Sequence, residues 1–329
     1  MKYINPLYQN IASELKLAEV LNIEIIQTLW SGYGELVRLK FKDKTIIVKH
    51  VNLPKPSEHP RGWNTNLSHK RKLHSYKVEV NWYEEFSKSI DNRCHIPKGL
   101  MCFQTQNEWL IVMEDLSSVG FTNIVTKANK IHLKASLSWL ANFHARYMNT
   151  NTKLLWENGT YWHLETRPDE FEILEDKRLK YFAKIIDSEL KNSKYITLVH
   201  GDAKLANFCF SDDGTRCAAV DFQYVGHGCA MKDLVYFMSS SIKAEDCQKI
   251  EKWFLNTYFE LLKKALAYYQ PKIDSYLVEK EYRRLFSIAG ADFQRFIKGW
   301  SPNHFKINTY SEELTLKALN YLESKYQLN

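Results

Sequence analysis

The hydrophobic residues of this chain change their period partway along it, and that change limits the fold more than any other feature. Over residues 23–51 they fall in short β-rich runs, "IEIIQTLW", "ELVRLKF" and "TIIVKHV", broken at "SGYG" and "KDK". Such runs with turn residues between them predict an antiparallel sheet. A strand in "EWLIVMEDL" closes this region. Beyond it, residues 130–148, 169–191, 244–269, 276–298 and 311–326 repeat at helical spacing, and only 196–223 reads as a small strand-rich island. Residues 52–75 hold three prolines without apolar periodicity and read as a long mobile loop, followed by a helix in "YKVEVNWYEEFSKSI". The expected architecture is α+β and bilobal. A small antiparallel-sheet lobe with one key helix spans 1–115, and a larger, mainly helical lobe spans 116–329. A chain of 329 residues is long for one core, which agrees with two lobes.

Charge and cysteine usage exclude several functions. The net charge of +7 is spread evenly along the chain, whereas a nucleic-acid reader concentrates its excess, so no nucleic-acid partner is expected. The one basic cluster, "HKRK" at 69–72, reads as a solvated loop. Six cysteines without a CxxC or zinc spacing point to reduced thiols. The N-terminus lacks an apolar signal core, and no apolar run approaches the ~18 residues of a membrane span. A cytoplasmic protein is expected, with no membrane span. No pattern in the sequence sets an oligomeric state.

The chemistry concentrates in "LVHGDAKLANFCF", residues 198–210. A core segment has no need of His200, Asp202 and Asn207, and a surface loop has no need of the apolar residues around them. A loop held between two buried strands satisfies both. Asp202 and Asn207 stand at the D-x-x-x-x-N spacing of phosphoryl-transfer loops, which pairs a catalytic base with a magnesium ligand. Asp221, directly after the apolar strand of "CAAVDFQ", supplies a second metal ligand. Lys49 stands inside the apolar strand "TIIVKHV", where an ammonium suits nucleotide phosphates if a carboxylate holds it. Glu79 is the candidate partner, with Glu84 and Glu85 behind it nearer the helix end. Ser31, Gly32 and Gly34 form a turn between strands where bare backbone can approach phosphates.

Taken in order, these segments resemble the protein-kinase-like superfamily, on the branch of aminoglycoside phosphotransferases and choline kinases. "HGDAKLANF" has the His-Gly-Asp form of that branch, and "AVDFQYVGHGCAMKDLVYF" is similar to the ecdysteroid-kinase-like subgroup, with its Asp-Phe-Gln and later Asp-Leu. "IVMEDL" resembles the hinge, and "LSWLANFHARY" the long helix after it. The resemblance, which covers roughly residues 25–300, implies a bilobal protein-kinase-like fold binding ATP and Mg²⁺. It implies that Asp202 is the catalytic base, that Asn207 and Asp221 hold magnesium, and that Lys49, with Glu79, grips the phosphates. Met113 would guard the adenine pocket, and the backbones of Glu114 and Leu116 would bond the adenine edge. His200 would brace its loop, and Asp233 would cap or anchor the following helix. Gln223 departs from the acidic residue common in choline kinases.

The expected activity is ATP-dependent phosphorylation of a hydroxyl on a small molecule of the choline, aminoglycoside or ecdysteroid-like class. The alternative is a catalytically lapsed kinase fold acting as a binding or regulatory module, against which Lys49, Asp202 and Asp221 are all retained. His144 reads as a helix-packing residue, and Gly226, His227 and Gly228 shape a turn or touch substrate. A choline site would draw on Trp139, Trp156, Trp162, Trp253 or Trp300 for an aromatic cage. An aminoglycoside site would draw on carboxylates such as those of "ETRPDEFEILED", residues 165–176, which otherwise read as a solvated face.

Overall fold

The computed structural model describes residues 5–29, 32–52, 66–105 and 108–327. Five antiparallel strands form the first sheet: β1 (Asn22–Thr28), β2 (Gly34–Lys40), β3 (Thr45–Asn52), β4 (Gly99–Gln104) and β5 (Glu108–Glu114). Their order is β1-β2-β3-β5-β4, which puts β3 in the middle. Side chains on a strand alternate faces, and here both faces are covered. Ile46 and Val48 pack with Val37, Leu39, Leu110 and Val112 beneath Tyr8, Ile11 and Ala12 of α1 (Pro6–Glu14). Ile47 and Val51 face the opposite way, into a core shared with Tyr76, Trp109 and Met113. Lys49 has the parity of Ile47 and Val51, so register alone carries it to the side covered by α2 (Asn66–Asn81).

Helix α2 corrects the reading of 52–75 as loop. Residues 66–75 are helical, and "HKRK" lies on this helix rather than on a solvated loop. The proline-rich residues 53–65, where the rest of that reading falls, lie outside the described residues. Apolar spacing missed the first turns of α2 because Leu67 and Leu73 are the only apolar residues over 66–75, and no residue from 67 to 74 is fully buried. After Asn81 the helix widens into a π turn, Trp82–Phe86.

In the second lobe, α3 (Lys130–Arg146) starts at an Asn129 capping box with His132. The helix expected over 169–191 divides into α4 (Pro168–Glu172) and α5 (Lys177–Lys191), because Asp176 leaves the helix and caps α5 through Leu179 N–H at 3.0 Å. Short strands follow: β7 (Thr197–Val199), β8 (Phe208–Phe210), β9 (Cys217–Ala219) and β10 (Gly226–Gly228). β8 pairs with β9 and with β6 (Asn123–Ile124), and β7 pairs with β10. Helices α6 (Met231–Ser241), α7 (Ala244–Tyr269), α8 (Ser275–Trp300) and α9 (Thr309–Tyr326) complete the lobe. Trp82 of the first lobe stacks on Phe222 of the second, ring centres 4.5 Å apart, so one apolar core runs through both. All six cysteines are free. No helix among the described residues is long and apolar enough to cross a membrane.

Candidate active site

Strand β3 and helix α2 bring the first pair together. Lys49 Nζ lies 2.8 and 2.7 Å from the two carboxylate oxygens of Glu79, and both side chains are buried. Glu84 and Glu85 fall in the π turn and are exposed. Lys49 also donates to Asp221 Oδ1 at 3.2 Å, a bond from one lobe to the other. Burial works against a charged Lys49, but Asp221 and Glu79 outweigh it and hold its pKa above the ordinary lysine value. Burial likewise opposes an ionised Asp221, yet Lys49, Lys204 and Lys72 together bring its carboxyl down to about 2. Asp221 has φ 69°, a left-handed conformation that few non-glycine residues adopt. Strain of this kind persists only where the surroundings impose it.

The loop between β7 and β8 is held from below. Asp233 on α6 accepts from His200 N at 2.6 Å and Gly201 N at 3.0 Å, and its Oδ2 lies 3.1 Å from His144 Nε2. Of the two roles expected of Asp233, capping and anchoring, the first needs correcting: α6 begins without a side-chain cap, and the carboxylate instead anchors the helix to the preceding loop. His144 is fully buried and its Nδ1 meets Tyr258 Oη at 2.9 Å. His200 Nε2 donates to Val220 O at 3.0 Å, which leaves Nδ1 to accept from Asp202 N at 3.3 Å. A side chain at Gly201 has no room, since a Cβ there would stand 2.1 Å from Tyr224 O.

Asp202 Oδ2 accepts from Lys204 Nζ at 2.9 Å and from Asn207 Nδ2 at 3.1 Å, and Asn207 Nδ2 also donates to Asp202 O at 2.8 Å. The amide nitrogen of Asn207 is thus committed to the loop. No protein donor reaches its Oδ1 among the described residues, so that oxygen is open to a cation. Together with the ionised Asp221 it forms a hard oxygen donor set, which fits magnesium.

Met113 is buried on β5 opposite Ile47 of β3. Glu114 N–H is committed to Lys98 O at 2.9 Å, and Leu116 opens a 3₁₀ turn, whose first N–H has no partner within the turn. Gly34 has φ 138°, and a Cβ there would stand 2.0 Å from His50 O, so the approach of β2 to β3 requires glycine. Gly32 has φ 71° with open space where a Cβ would lie. Ser31 lies outside the described residues. Gly226, His227 and Gly228 form β10, where a Cβ on Gly226 would meet Trp156 O at 2.3 Å.

Several polar residues of the cleft carry no clear mark in the sequence. Lys72 lies two helical turns before Glu79 on the same face of α2 and donates to Gln223 Oε1 at 3.1 Å. Burial and the Lys49 charge lower its pKa to about 8. Helical spacing from Glu79 was the signal available for Lys72, and proximity to Asp202 in the motif was the signal for Lys204. Asp115 ties the hinge to the sheet, accepting from Arg38 Nε and Thr45 Oγ1, each at 2.7 Å. Tyr161, Tyr236 and Lys306 gather near Asp202 from three distant segments, and no local pattern marks them.

A five-stranded antiparallel lobe joined to a helical lobe, with a lysine–glutamate pair above a His-Gly-Asp loop, is a bilobal protein-kinase-like fold. Residues 146–270 match the model of the ecdysteroid kinase-like family. No curated protein matches the chain in sequence. Among solved structures, a thermostable mutant of an aminoglycoside phosphotransferase, in ternary complex with ADP and hygromycin B, superposes with a TM-score of 0.50 at 9% identity. That alignment covers 96% of this chain and 98% of the other. A choline kinase from Streptococcus pneumoniae aligns at 14% identity with a TM-score of 0.47, over 97% of this chain and 100% of its own.

Proposed function

We propose that this protein is an ATP-dependent kinase that phosphorylates a hydroxyl group on a small molecule. The observation that carries this reading is the convergence of Lys49, Glu79 and Asp221 at one point, with Asp202 and Asn207 joined beside it. In this reading Lys49, fixed by Glu79, binds the phosphates of ATP, while Met113, Glu114 and Leu116 line the adenine side. Asn207 Oδ1 and Asp221 would hold Mg²⁺, which when bound neutralises charge on the phosphate oxygens. Asp202 accepts the proton of the acceptor hydroxyl as its oxygen attacks the γ-phosphorus. The bond from that phosphorus to the β–γ bridging oxygen breaks, and ADP leaves with the electron pair. Lys204 steadies Asp202 and contributes positive charge beside the transferred group. Positioning and charge neutralisation supply most of the catalysis in such reactions.

The test is ATP consumption by the purified protein over alcohols, amino alcohols, sugars and aminoglycosides, repeated with Asp202→Asn. That substitution keeps the size of the side chain and removes the charge that accepts the proton. Loss of a general base costs ~10²–10⁴-fold in kcat, with the KM for ATP little changed because the nucleotide contacts lie elsewhere. A folded Asp202→Asn protein with near-normal kcat would defeat the mechanism.

A further inference from the structure

A cavity of about 1050 Å³ opens in the helical lobe between the start of α3, the end of α6, and helices α7, α8 and α9. It adjoins the catalytic loop at two places. Ser240 in its wall accepts a hydrogen bond from Leu205 N at 3.1 Å. Lys306, also in its wall, has Asp202 and Lys204 as its charged neighbours. The body of the cavity is apolar, with Leu133, Met238, Ile250, Trp253, Phe286 and Phe293.

Its charges are mostly positive, with Lys127, Lys130, Lys243, Lys249 and Lys306 against Glu245 and Asp246. Lys243 lies 4.0 Å from Glu245, and Lys249 lies 3.6 Å from Asp246, so the only two acids of the lining are already matched. Lys127, Lys130 and Lys306 remain, with no carboxylate within ion-pair distance among the described residues. Lys306 is the most informative of them because only 9% of it is exposed. Its ammonium stands 4.2 Å from the ring centre of Tyr236, and its backbone carbonyl accepts from Gln294 Nε2 at 3.1 Å. The stem of this side chain is buried while its ammonium stays accessible, with an aromatic face but no hydrogen-bond acceptor from the described residues, so it is poised for an acceptor from outside the chain.

The features that would hold a cationic acceptor lie elsewhere or are already used. No residue of the acidic run 165–176 lines the cavity, and three of its six acids are already paired: Glu165 with Lys191 at 2.6 Å, Glu170 with Arg167 at 2.9 Å and Asp176 with Lys298 at 2.9 Å. Trp139, Trp156 and Trp162 are buried away from the cavity lining, and Trp253, which does line it, already has Lys130 Nζ 5.5 Å from its ring centre.

We infer that the acceptor is an anionic amphiphile, an alcohol with an apolar body and one carboxylate or sulfate group, read by the Lys306 ammonium beside the catalytic loop. The inference rests on the kinase reading above and adds the charge of the substrate to it. The test is titration calorimetry of the full chain, loaded with magnesium and a non-hydrolysable ATP analogue, against three matched ligands: ω-hydroxylaurate, the corresponding diol and the corresponding amino alcohol. The anion is expected to bind roughly 10-fold or more tightly than the diol, the scale of a charge-assisted hydrogen bond, and the amino alcohol weakest. Lys306→Met should erase the gap between anion and diol, and Lys306→Arg should keep it, each at unchanged nucleotide affinity. Equal binding of all three, no binding of the anion, or a gap that survives Lys306→Met overturns the inference. If the wild-type protein instead fails to bind the nucleotide while still selecting the anion, the kinase reading falls and the charge selection stands.

Discussion

Lys306 holds a positive charge where the protein disfavours one. Burial draws its pKa from the ordinary 10.5 down to about 8, Asp202 pulls it back up and Lys204 pushes it further down, with Tyr236 against the ammonium. Because the folded value lies below the unfolded one, the folded state binds the proton less well. The cost to stability is therefore complete below about pH 8 and is relieved as pH rises toward 10.5. Lys306→Met should accordingly stabilise the ligand-free protein near neutral pH, by about 1–3 kcal/mol, and this advantage should shrink as the medium becomes alkaline. Denaturant unfolding of both proteins at neutral and alkaline pH checks it. A mutant no more stable than wild type at neutral pH would show that Lys306 is satisfied in the free protein. Destabilising groups of this kind are kept where function needs them.

Among the elements, helix α6 matters because one of its side chains holds three other groups in place. Asp233 joins α6 to the backbone of the catalytic loop through His200 and Gly201, and to α3 through His144. All of these groups are buried, so none can turn to water if the carboxylate is lost. Asp233→Asn preserves the shape but puts an amide N–H₂ against a donor, leaving at least one buried group unsatisfied. The expected cost is about 2–4 kcal/mol, together with a fall in kcat as the loop carrying Asp202 loosens. Melting temperature and kcat measured on one preparation test this, and a mutant unchanged in both would remove Asp233 from the support of the site.

Across the molecule as a whole, the two lobes meet at the site itself. Lys49 reaches Asp221, Lys72 reaches Gln223, Arg71 donates to Thr166 O at 2.6 Å, and Trp82 stacks on Phe222. A ligand that binds between the lobes binds only the folded chain. Mg·ATP at about 100 times its Kd should add about 2.7 kcal/mol, a rise of a few degrees in Tm for a protein of this size. EDTA should abolish most of that rise if Asn207 and Asp221 hold the metal. Thermal melts with ATP in magnesium and in EDTA decide it, and equal rises in the two buffers would exclude the assignment.

Features whose physics acts over a few residues could be read directly along the chain. The alternation of "TIIVKHV" placed Lys49 on a strand with its parity set, and the 3.6-residue repeats marked α3, α7, α8 and α9 closely. The His-Gly-Asp loop was legible because buried strands seldom flank a dense polar segment unless that segment serves a site. The first turns of α2 were not legible, since they carry only Leu67 and Leu73 among polar residues and so show no apolar stripe. For the same reason Lys72 looked like a solvated charge. Which distant groups come together was settled by packing alone: Glu79 bonds Lys49 across 30 residues, Asp233 bonds Gly201 across 32, and Lys306 from the far end of the second lobe lies near enough to feel the charge of Asp202 without pairing with it. Those encounters depend on how whole helices pack and on which charges burial leaves unpaired, and no periodicity along the chain encodes either.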